Sequence, residues 1–376
     1  MDALEAITVR TASATYPVEV ASGAARHMAE RMAAAGLRPS RVAVICDAAV
    51  ESSTAAEVDR SLSAAGMAVA RIGMQATEDS KTLGTLGDLC ERMLADGIDR
   101  SGAVVAVGGG VVGDVAGFAA ATYMRGIPCV QVPTTLLAMV DAAVGGKTAV
   151  NLVRADGTLA KNMVGSFAQP RLVVCDPECL ATLPVRELRS GLAECVKHAV
   201  IADPAMLAWI RGRIDPILAR DPATLAQLVA RNVKIKAEVV GADEREDGRR
   251  AVLNLGHTFA HAIESLLHGE CTHGEAVAIG TVAACRLAGV LGHGSPDHGS
   301  AHLESAVRET LSAIGLPAAL PAARLAEELL SAMGSDKKKR GGALHLVVPF
   351  AFGDVRVLGD VPNDAVRAAW RAVGAG

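Results

Sequence analysis

The sequence predicts two domains: an α/β domain with a parallel sheet over residues 1–180, then a mainly α-helical domain over residues 181–376. Three observations carry that prediction. Short, wholly apolar runs recur between helix-patterned segments in the first half. A glycine-rich turn follows one of those runs and opens a helix. Beyond residue 180 the apolar residues repeat at helical spacing, separated by Pro and Gly breaks.

Taken in order, Ile7–Val20 alternates apolar and polar residues as a strand or hairpin does. Arg41–Cys46 (RVAVIC) is an apolar run ending at Asp47, the pattern of a strand buried on both faces. Ser80–Asp96 has helical spacing. Ala103–Val107 (AVVAV) is a second buried strand and runs into Gly108-Gly109-Gly110. Val111–Tyr123 reads as a helix and Pro128–Val132 as the next strand, and such alternation implies a parallel sheet. In the second half, Leu183–Lys197, Pro204–Arg213, Pro222–Val240, Ala251–Leu267 and Glu275–Leu291 carry apolar faces of helical period. Ala343–Phe350 (ALHLVVPF) is a late strand. No internal repeat is present.

Composition removes several classes of function. The chain is 51% hydrophobic and 21% charged, so it folds as a globular protein. A net charge of -4 and an aromatic content of 2% leave neither a basic footprint nor stacking platforms for nucleic acid. No apolar run reaches the roughly 18 residues of a membrane span, and the N-terminus lacks the order of a signal peptide. The eight cysteines are scattered through apolar stretches, which fits reduced thiols in the cytoplasm. Cys175 and Cys179 form the one close pair, and no second pair completes a zinc knuckle.

The turn Gly108-Gly109-Gly110-Val111-Val112-Gly113-Asp114 lets the backbone approach an anion at a helix N-terminus. By itself it is also compatible with a tight turn that binds nothing. Further on, Pro133-Thr134-Thr135, Asp141, Gly145-Gly146-Lys147 and Lys161-Asn162 gather two lysines and an amide suited to a phosphate. A loop lysine is ordinarily just solvated, so neither lysine suffices alone.

The third cluster is the most specific. Glu194 and Lys197 share one helical face at i, i+3, and His257 and His261 share another at i, i+4. His273 follows, before a further helix. Two histidines and a carboxylate form a common zinc set that leaves a position open for substrate. Thr258 stands where a zinc protease of the H-E-x-x-H type carries its glutamate, which disfavours that chemistry. A lone buried histidine is ordinarily a core residue, but three within 17 residues reverse that expectation. His27, His268, His293, His298, His302 and His345 belong to no constellation and read as structural or surface residues. Lys234, Lys236, Arg250 and Asn254 fall where burial is expected, which suggests a polar cavity rather than a core. The run Asp336-Lys337-Lys338-Lys339-Arg340 is by default a solvated face and, before a late strand, a candidate lid.

These segments resemble the 3-dehydroquinate synthase family. The likeness is carried in order by GGGVVGDVAGFAAATYMRG, VPTTLLAMVDAAVGGKTAVN, KNMVGSF, LPVRELRSGLAECVKH, IKAEVVGADERE, LNLGHTFAHAIE and THGEAVAIG, from Asp47 to Lys338. The resemblance implies a Rossmann-like domain binding NAD⁺, a helical metal-binding domain, an active site in the cleft between them and a cytoplasmic homodimer. It implies metal ligands at Glu194, His257 and His273, with zinc the expected ion and cobalt an alternative. It implies cofactor contacts from Asp47, Glu78, Lys81, Gly110, Val111, Val112, Gly113 and Asp114. Thr134, Thr135, Asp141, Lys147, Lys161 and Cys179-Leu180-Ala181-Thr182 complete that set. It implies substrate or catalytic roles for Lys147, Asn162, Lys197, Lys236, Arg250, Asn254, His261 and Lys337, and for Arg125 reaching across the dimer.

The implied reaction is a carbon–oxygen lyase step of the shikimate pathway, from 3-deoxy-D-arabino-heptulosonate 7-phosphate to 3-dehydroquinate and phosphate. It runs through transient oxidation by NAD⁺, phosphate elimination, reduction, ring opening and an intramolecular aldol closure. His261 is the expected proton acceptor and Arg250 the expected grip on the substrate carboxylate. The rivals are a related sugar-phosphate cyclase, such as an aminodehydroquinate synthase, a metal-dependent polyol dehydrogenase, and a binding protein that keeps the fold. The intact Gly145-Gly146-Lys147 argues against a cyclase acting on another heptulose or a hexose phosphate, and the phosphate-type lysines argue against the dehydrogenase. The aminodehydroquinate synthase stays open.

Three departures from the family pattern stand out. Thirteen residues (TAVNLVRADGTLA) separate Lys147 from Lys161, ending in Ala160 where Gly is usual, so a loop beside the phosphate is lengthened. Thr77 replaces a glycine ahead of Glu78 and Lys81, so the turn there is expected to differ. Ala260 replaces a glycine between the helical histidines, a harmless change in a helix.

Overall fold

The structure is a computed structural model that describes residues 5–155, 159–267, 269–292, 300–339 and 345–376, without the side chains of 300 and 335–339. His268, His293, His298, Arg340 and the side chain of Lys337 therefore lie outside the described residues. The chain divides into two compact units, Met1–Pro184 with Arg220–Arg245, and Val185–Ala219 with Glu246–Gly376.

The first unit is built on seven strands: β1 (Glu5–Arg10), β2 (Thr15–Val20), β3 (Arg41–Asp47), β4 (Ala68–Met74), β5 (Ala103–Gly108), β6 (Cys129–Pro133) and, after a hairpin, β9 (Leu172–Cys175). Their order is β1-β2-β9-β6-β5-β3-β4, antiparallel between β1 and β2 and parallel elsewhere. Alternate residues of the apolar runs enter two separate cores. Val42, Val44, Val105 and Val107 join one with Met28, Val58 and Leu62; Ala43, Ile45, Val104 and Ala106 join the other with Leu89, Met93 and Val115. Helices cover both faces, which is why these strands read as unbroken apolar runs.

The strand order fixes where a ligand sits. From β3 the chain steps outward to β4, then returns to the other side of β3 as β5. Ligands bind an open parallel sheet at the carboxyl ends of the strands flanking such a reversal. Those ends carry Asp47 and Gly108-Gly109-Gly110.

Strands β4 and β9 were absent from the sequence-based expectation. β4 is an edge strand with mixed burial, and β9 has only four residues, so neither presents a long periodic pattern. The stretch between Lys147 and Phe167 is a hairpin of β7 (Lys147–Val153) and β8 (Leu159–Phe167), not an irregular loop.

The helix Pro222–Ala242 belongs to the first unit, although the expected boundary at residue 180 assigned it to the second. Its buried residues include Leu225, Leu228, Val229, Val233 and Val240, and they pack on β1 and on the turn Ala138–Ala142. Helical periodicity shows that a face is buried, but not against which partner.

Among its described residues the second unit is helical apart from the hairpin of β10 (Leu346–Ala351) and β11 (Asp354–Leu358). Three helices carry the candidate metal ligands Glu194, His257 and His273: Val185–Ala202, His257–Leu266 and His273–Val290. A Cβ on Gly274 would lie 2.1 Å from Ser190 O, and one on Gly280 would lie 2.2 Å from Gly256 O. Only glycine permits these approaches, so the three helices meet at backbone distance. Phe259 packs edge-on to the fully buried Trp370, with ring centroids 4.9 Å apart, and anchors the middle helix.

Candidate functional site

In the second unit, Glu194 and Lys197 project from the middle of the Val185–Ala202 helix, at 0% and 1% exposure. Both histidines of the expected metal set are the first residue of a helix. Ahead of His257, Gly256 adopts a left-handed conformation (φ 79°), which breaks the single helix expected over Ala251–Leu267 into a short 3₁₀ turn, Arg249–Asn254, and the helix that starts at His257. Ahead of His273, Thr272 caps the helix in a reciprocal box with Glu275.

Glu194 Oε1 lies 3.6 Å from His257 Nε2 and 3.5 Å from His273 Nε2. These separations are long for hydrogen bonds. They match the edge of a zinc tetrahedron, about 3.3 Å for bonds near 2 Å. Among the described residues this trio is the one group of three or more potential ligands close enough to share an ion. The surrounding groups also suit a metal. His257 Nδ1 lies 3.2 Å from Leu255 O, so the ring donates there and leaves Nε2 unprotonated towards Glu194. His273 Nδ1 faces Glu264 Oε2 at 3.6 Å. Lys197 Nζ is 2.5 Å from Glu194 Oε2, the carboxylate's other oxygen. The residues present therefore fit a divalent ion. His261 stands one turn beyond His257 with ring centroids 5.9 Å apart, and it is exposed.

Without an ion the two histidines titrate in opposite directions. Burial, then the nearby Lys197 ammonium, pulls His257 down to about 3. Burial also acts to lower His273, but its polar and charge interactions with Glu194 and Glu264 outweigh that and push it up to about 10. At neutral pH the metal-free site thus holds His257 neutral and His273 protonated. Binding a divalent ion must expel the His273 proton, so about one proton per ion is released and affinity rises about tenfold per pH unit below pH 10. Calorimetry in two buffers of different ionisation enthalpy measures it; zero proton release at pH 7 would contradict the assignment of His273.

Also in this unit, Arg250 is 2% exposed on the Arg249–Asn254 turn, and Asn254 Nδ2 donates to Glu246. Glu264 and His198 were not singled out from the sequence. Glu264 sits i+7 from His257, a spacing that places it on the same face, and His198 is fully buried one residue after Lys197.

In the first unit, Asp47 ends β3 and accepts from Ala49 N. Gly110, Val111, Val112, Gly113 and Asp114 form the first turn of the helix Gly110–Thr122, whose leading N–H groups lack intrahelical partners. Thr134 and Thr135 follow β6, whose last residue, Pro133, pairs with Gly108. Lys81 is only 5% exposed; its Nζ lies 2.6 Å from Asp114 Oδ2 and 2.5 Å from Asn162 Oδ1. Burial holds Asp114 above the usual carboxylate range, against the pull of Lys81. Lys236 is bonded to Asp141 through both the carboxylate and the backbone carbonyl.

Lys147 and Lys161 are exposed on β7 and β8. Cys179 and Leu180 are buried, and Ala181 and Thr182 are exposed just after them. Arg125 is exposed on a left-handed turn with Met124 (φ 49°, then 69° for Arg125) that follows the glycine-turn helix. The structure thus joins Lys81, Asp114 and Asn162 directly, and Lys236 with Asp141. Thr77, the departure ahead of Glu78, caps the short turn Glu78–Ser80 with its side chain, a role the usual glycine cannot fill.

The 3-dehydroquinate synthase N-terminal family matches residues 71–190, and the 3-dehydroquinate synthase C-terminal family matches residues 191–339. The 3-dehydroquinate synthase of Caulobacter vibrioides is 43% identical over 97% of this chain and 98% of its own. Among solved structures, a 2-epi-5-epi-valiolone synthase from Streptomyces hygroscopicus with NAD⁺ and Zn²⁺ bound superposes with a TM-score of 0.84. It is 28% identical, over 99% of this chain and 98% of that one. A 2-deoxy-scyllo-inosose synthase complexed with carbaglucose-6-phosphate, NAD⁺ and Co²⁺ gives 0.85 at 26% identity, over 98% and 100% of the two chains. Both halves of the chain, the reversal of strand order at the glycine turn and the Glu–His–His cluster lead to one assignment: the chain belongs to the 3-dehydroquinate synthase family.

Proposed function

We propose that the chain converts 3-deoxy-D-arabino-heptulosonate 7-phosphate to 3-dehydroquinate and inorganic phosphate, a carbon–oxygen lyase reaction, as a cytoplasmic homodimer with resident NAD⁺ and zinc. The observation that carries the reading is the cluster of Glu194, His257 and His273, with Lys197 and His261 beside it in a chain 43% identical to a 3-dehydroquinate synthase along nearly its whole length. When bound, NAD⁺ supplies a reversible hydride acceptor and the ion a Lewis acid that lowers the pKa of a substrate hydroxyl.

The chain's own residues do the rest. His261, exposed and one turn from His257, accepts the hydroxyl proton and exchanges it with solvent. Lys197 holds one oxygen of Glu194 so that the other faces the two histidines. Arg250 grips the substrate carboxylate, and Asn254 orients the hydroxyls. Lys147, Lys236, Asn162 and Lys337 serve the phosphate end, with Arg125 contributed from the partner protomer. Cationic and amide groups placed in advance stabilise phosphate as it leaves. The exposure of Arg125, on its left-handed turn, supports that role, because its guanidinium is accessible to a second protomer.

Purified protein with NAD⁺, zinc and the heptulosonate phosphate is expected to release one phosphate per substrate with no net NADH. Absence of turnover would sink the reading. Lasting NADH from a polyol would favour a dehydrogenase, and turnover only of an amino-substituted heptulosonate or a hexose phosphate would favour a sister cyclase.

A further inference from the structure

The residues assigned to the cofactor and those assigned to the phosphate meet in the first unit at a side chain that no assignment includes. Asn151 sits near the end of β7 and is 1% exposed. Its Oδ1 accepts the backbone N–H of Asn162 at 2.8 Å. Its Nδ2 donates to Glu78 Oε1 at 2.7 Å and to Glu78 O at 3.1 Å. Its own backbone N–H donates to Lys81 O at 2.7 Å. The amide orientation is dictated by chemistry: a backbone N–H can only donate and a carboxylate can only accept.

The circuit closes through Lys81, whose ammonium bonds both Asn162 Oδ1 and Asp114 Oδ2. Asn162 is held in the left-handed region, φ 56°, where the backbone bond to Asn151 fixes it. One buried amide therefore sets the direction of the Glu78 carboxylate and the backbone of Asn162 at once.

We infer that Asn151 is a positioning residue that couples the nicotinamide-cofactor segment Glu78–Lys81 to the substrate-facing Asn162 of β8. The inference rests on the function proposed above. Neither Ser nor Ala reaches both partners. Asp reaches both, but it can only accept while ionised, so it keeps the Asn162 bond and sets a second carboxylate against Glu78. The two ends of the amide can thus be tested separately.

The holoenzyme, Asn151→Asp and Asn151→Ala are compared for NAD⁺ affinity by calorimetry, for KM and kcat with the heptulosonate phosphate, and for zinc content. In Asn151→Asp the NAD⁺ Kd is expected to rise about tenfold or more, the range for losing a bond to a charged group, while KM for the phosphate substrate stays within about twofold. In Asn151→Ala both are expected to rise. Lowering the pH lets a shared proton restore the donor to Glu78, so the gap in NAD⁺ affinity between Asn151→Asp and the parent enzyme is expected to close. Zinc content is expected to be unchanged throughout.

Unchanged NAD⁺ affinity in a folded Asn151→Asp overturns the inference. Equal changes in NAD⁺ affinity and KM in that variant, or a deficit that does not respond to pH, also overturn it, because they mark a merely structural role. Should Asn151→Ala fail to fold, the Asp variant and its pH response decide. A parent enzyme that binds no NAD⁺ sinks the proposed function itself.

Discussion

His257→Ala is expected to lose both bound zinc and turnover, whereas His261→Ala keeps its zinc and loses only the rate. Removing an outer partner of a metal ligand weakens metal binding by about 10–100-fold, so removing a ligand exceeds that, and the variant should purify with essentially no zinc. His257 is the better choice of ligand for this test because its imidazole is neutral before the metal arrives, held near 3 by burial. Its loss is therefore not confounded by a change in protonation. His261 lies one helical turn further on, exposed, and in the proposed mechanism it serves the proton rather than the ion. Losing a general base slows turnover by about 10²–10⁴-fold. Metal content by mass spectrometry beside kcat separates the two roles; equal zinc loss in both variants would overturn the division.

The second large effect concerns stability. Glu194→Ala removes the carboxylate that lies 2.5 Å from the Lys197 ammonium, at a site where both groups are at most 1% exposed. Breaking a buried ion pair from one side costs about 3–5 kcal/mol, because a charge is left in a medium that cannot solvate it. The variant is expected to melt well below the parent enzyme even when both are stripped of metal. Adding Lys197→Met removes the stranded charge, so the double variant should regain much of the stability and none of the metal binding. A single Glu194→Ala variant that melts with the metal-free parent would show that the pair contributes nothing to the fold. The double variant guards against reading general damage as a specific effect, since it alters more of the helix and should yet be more stable.

The residues that carry chemistry were legible because each announces itself in short range. Glu194 with Lys197 and His257 with His261 declare a shared face by helical spacing, and the apolar runs at β3 and β5 declare buried strands. The glycine turn after β5 shows itself as the strand ends and the helix begins. Asn151 did not stand out. It is a single polar residue in a strand, and its partners Glu78 and Asn162 lie 73 and 11 positions away, with nothing local to mark either bond. Gly256 in the middle of a helical pattern was likewise read through, although its left-handed backbone is what gives His257 a helix of its own.

The sequence by itself determined the class of fold and gathered one carboxylate and three histidines as candidate metal ligands, by periodicity and residue type. The choice of Glu194, His257 and His273 among them, and the cofactor and substrate sets, came from resemblance to the family in motif order. Tertiary structure alone decided three things: that the helix Pro222–Ala242 packs with the sheet, that the segment after Lys147 is a hairpin, and that Asn151 joins Glu78 to Asn162. The physical reason is common to all three. A repeat pattern states that a face or an amide must be satisfied, but the satisfying partner is chosen by contacts remote in sequence, here at Gly274 and Gly280 as at Asn151.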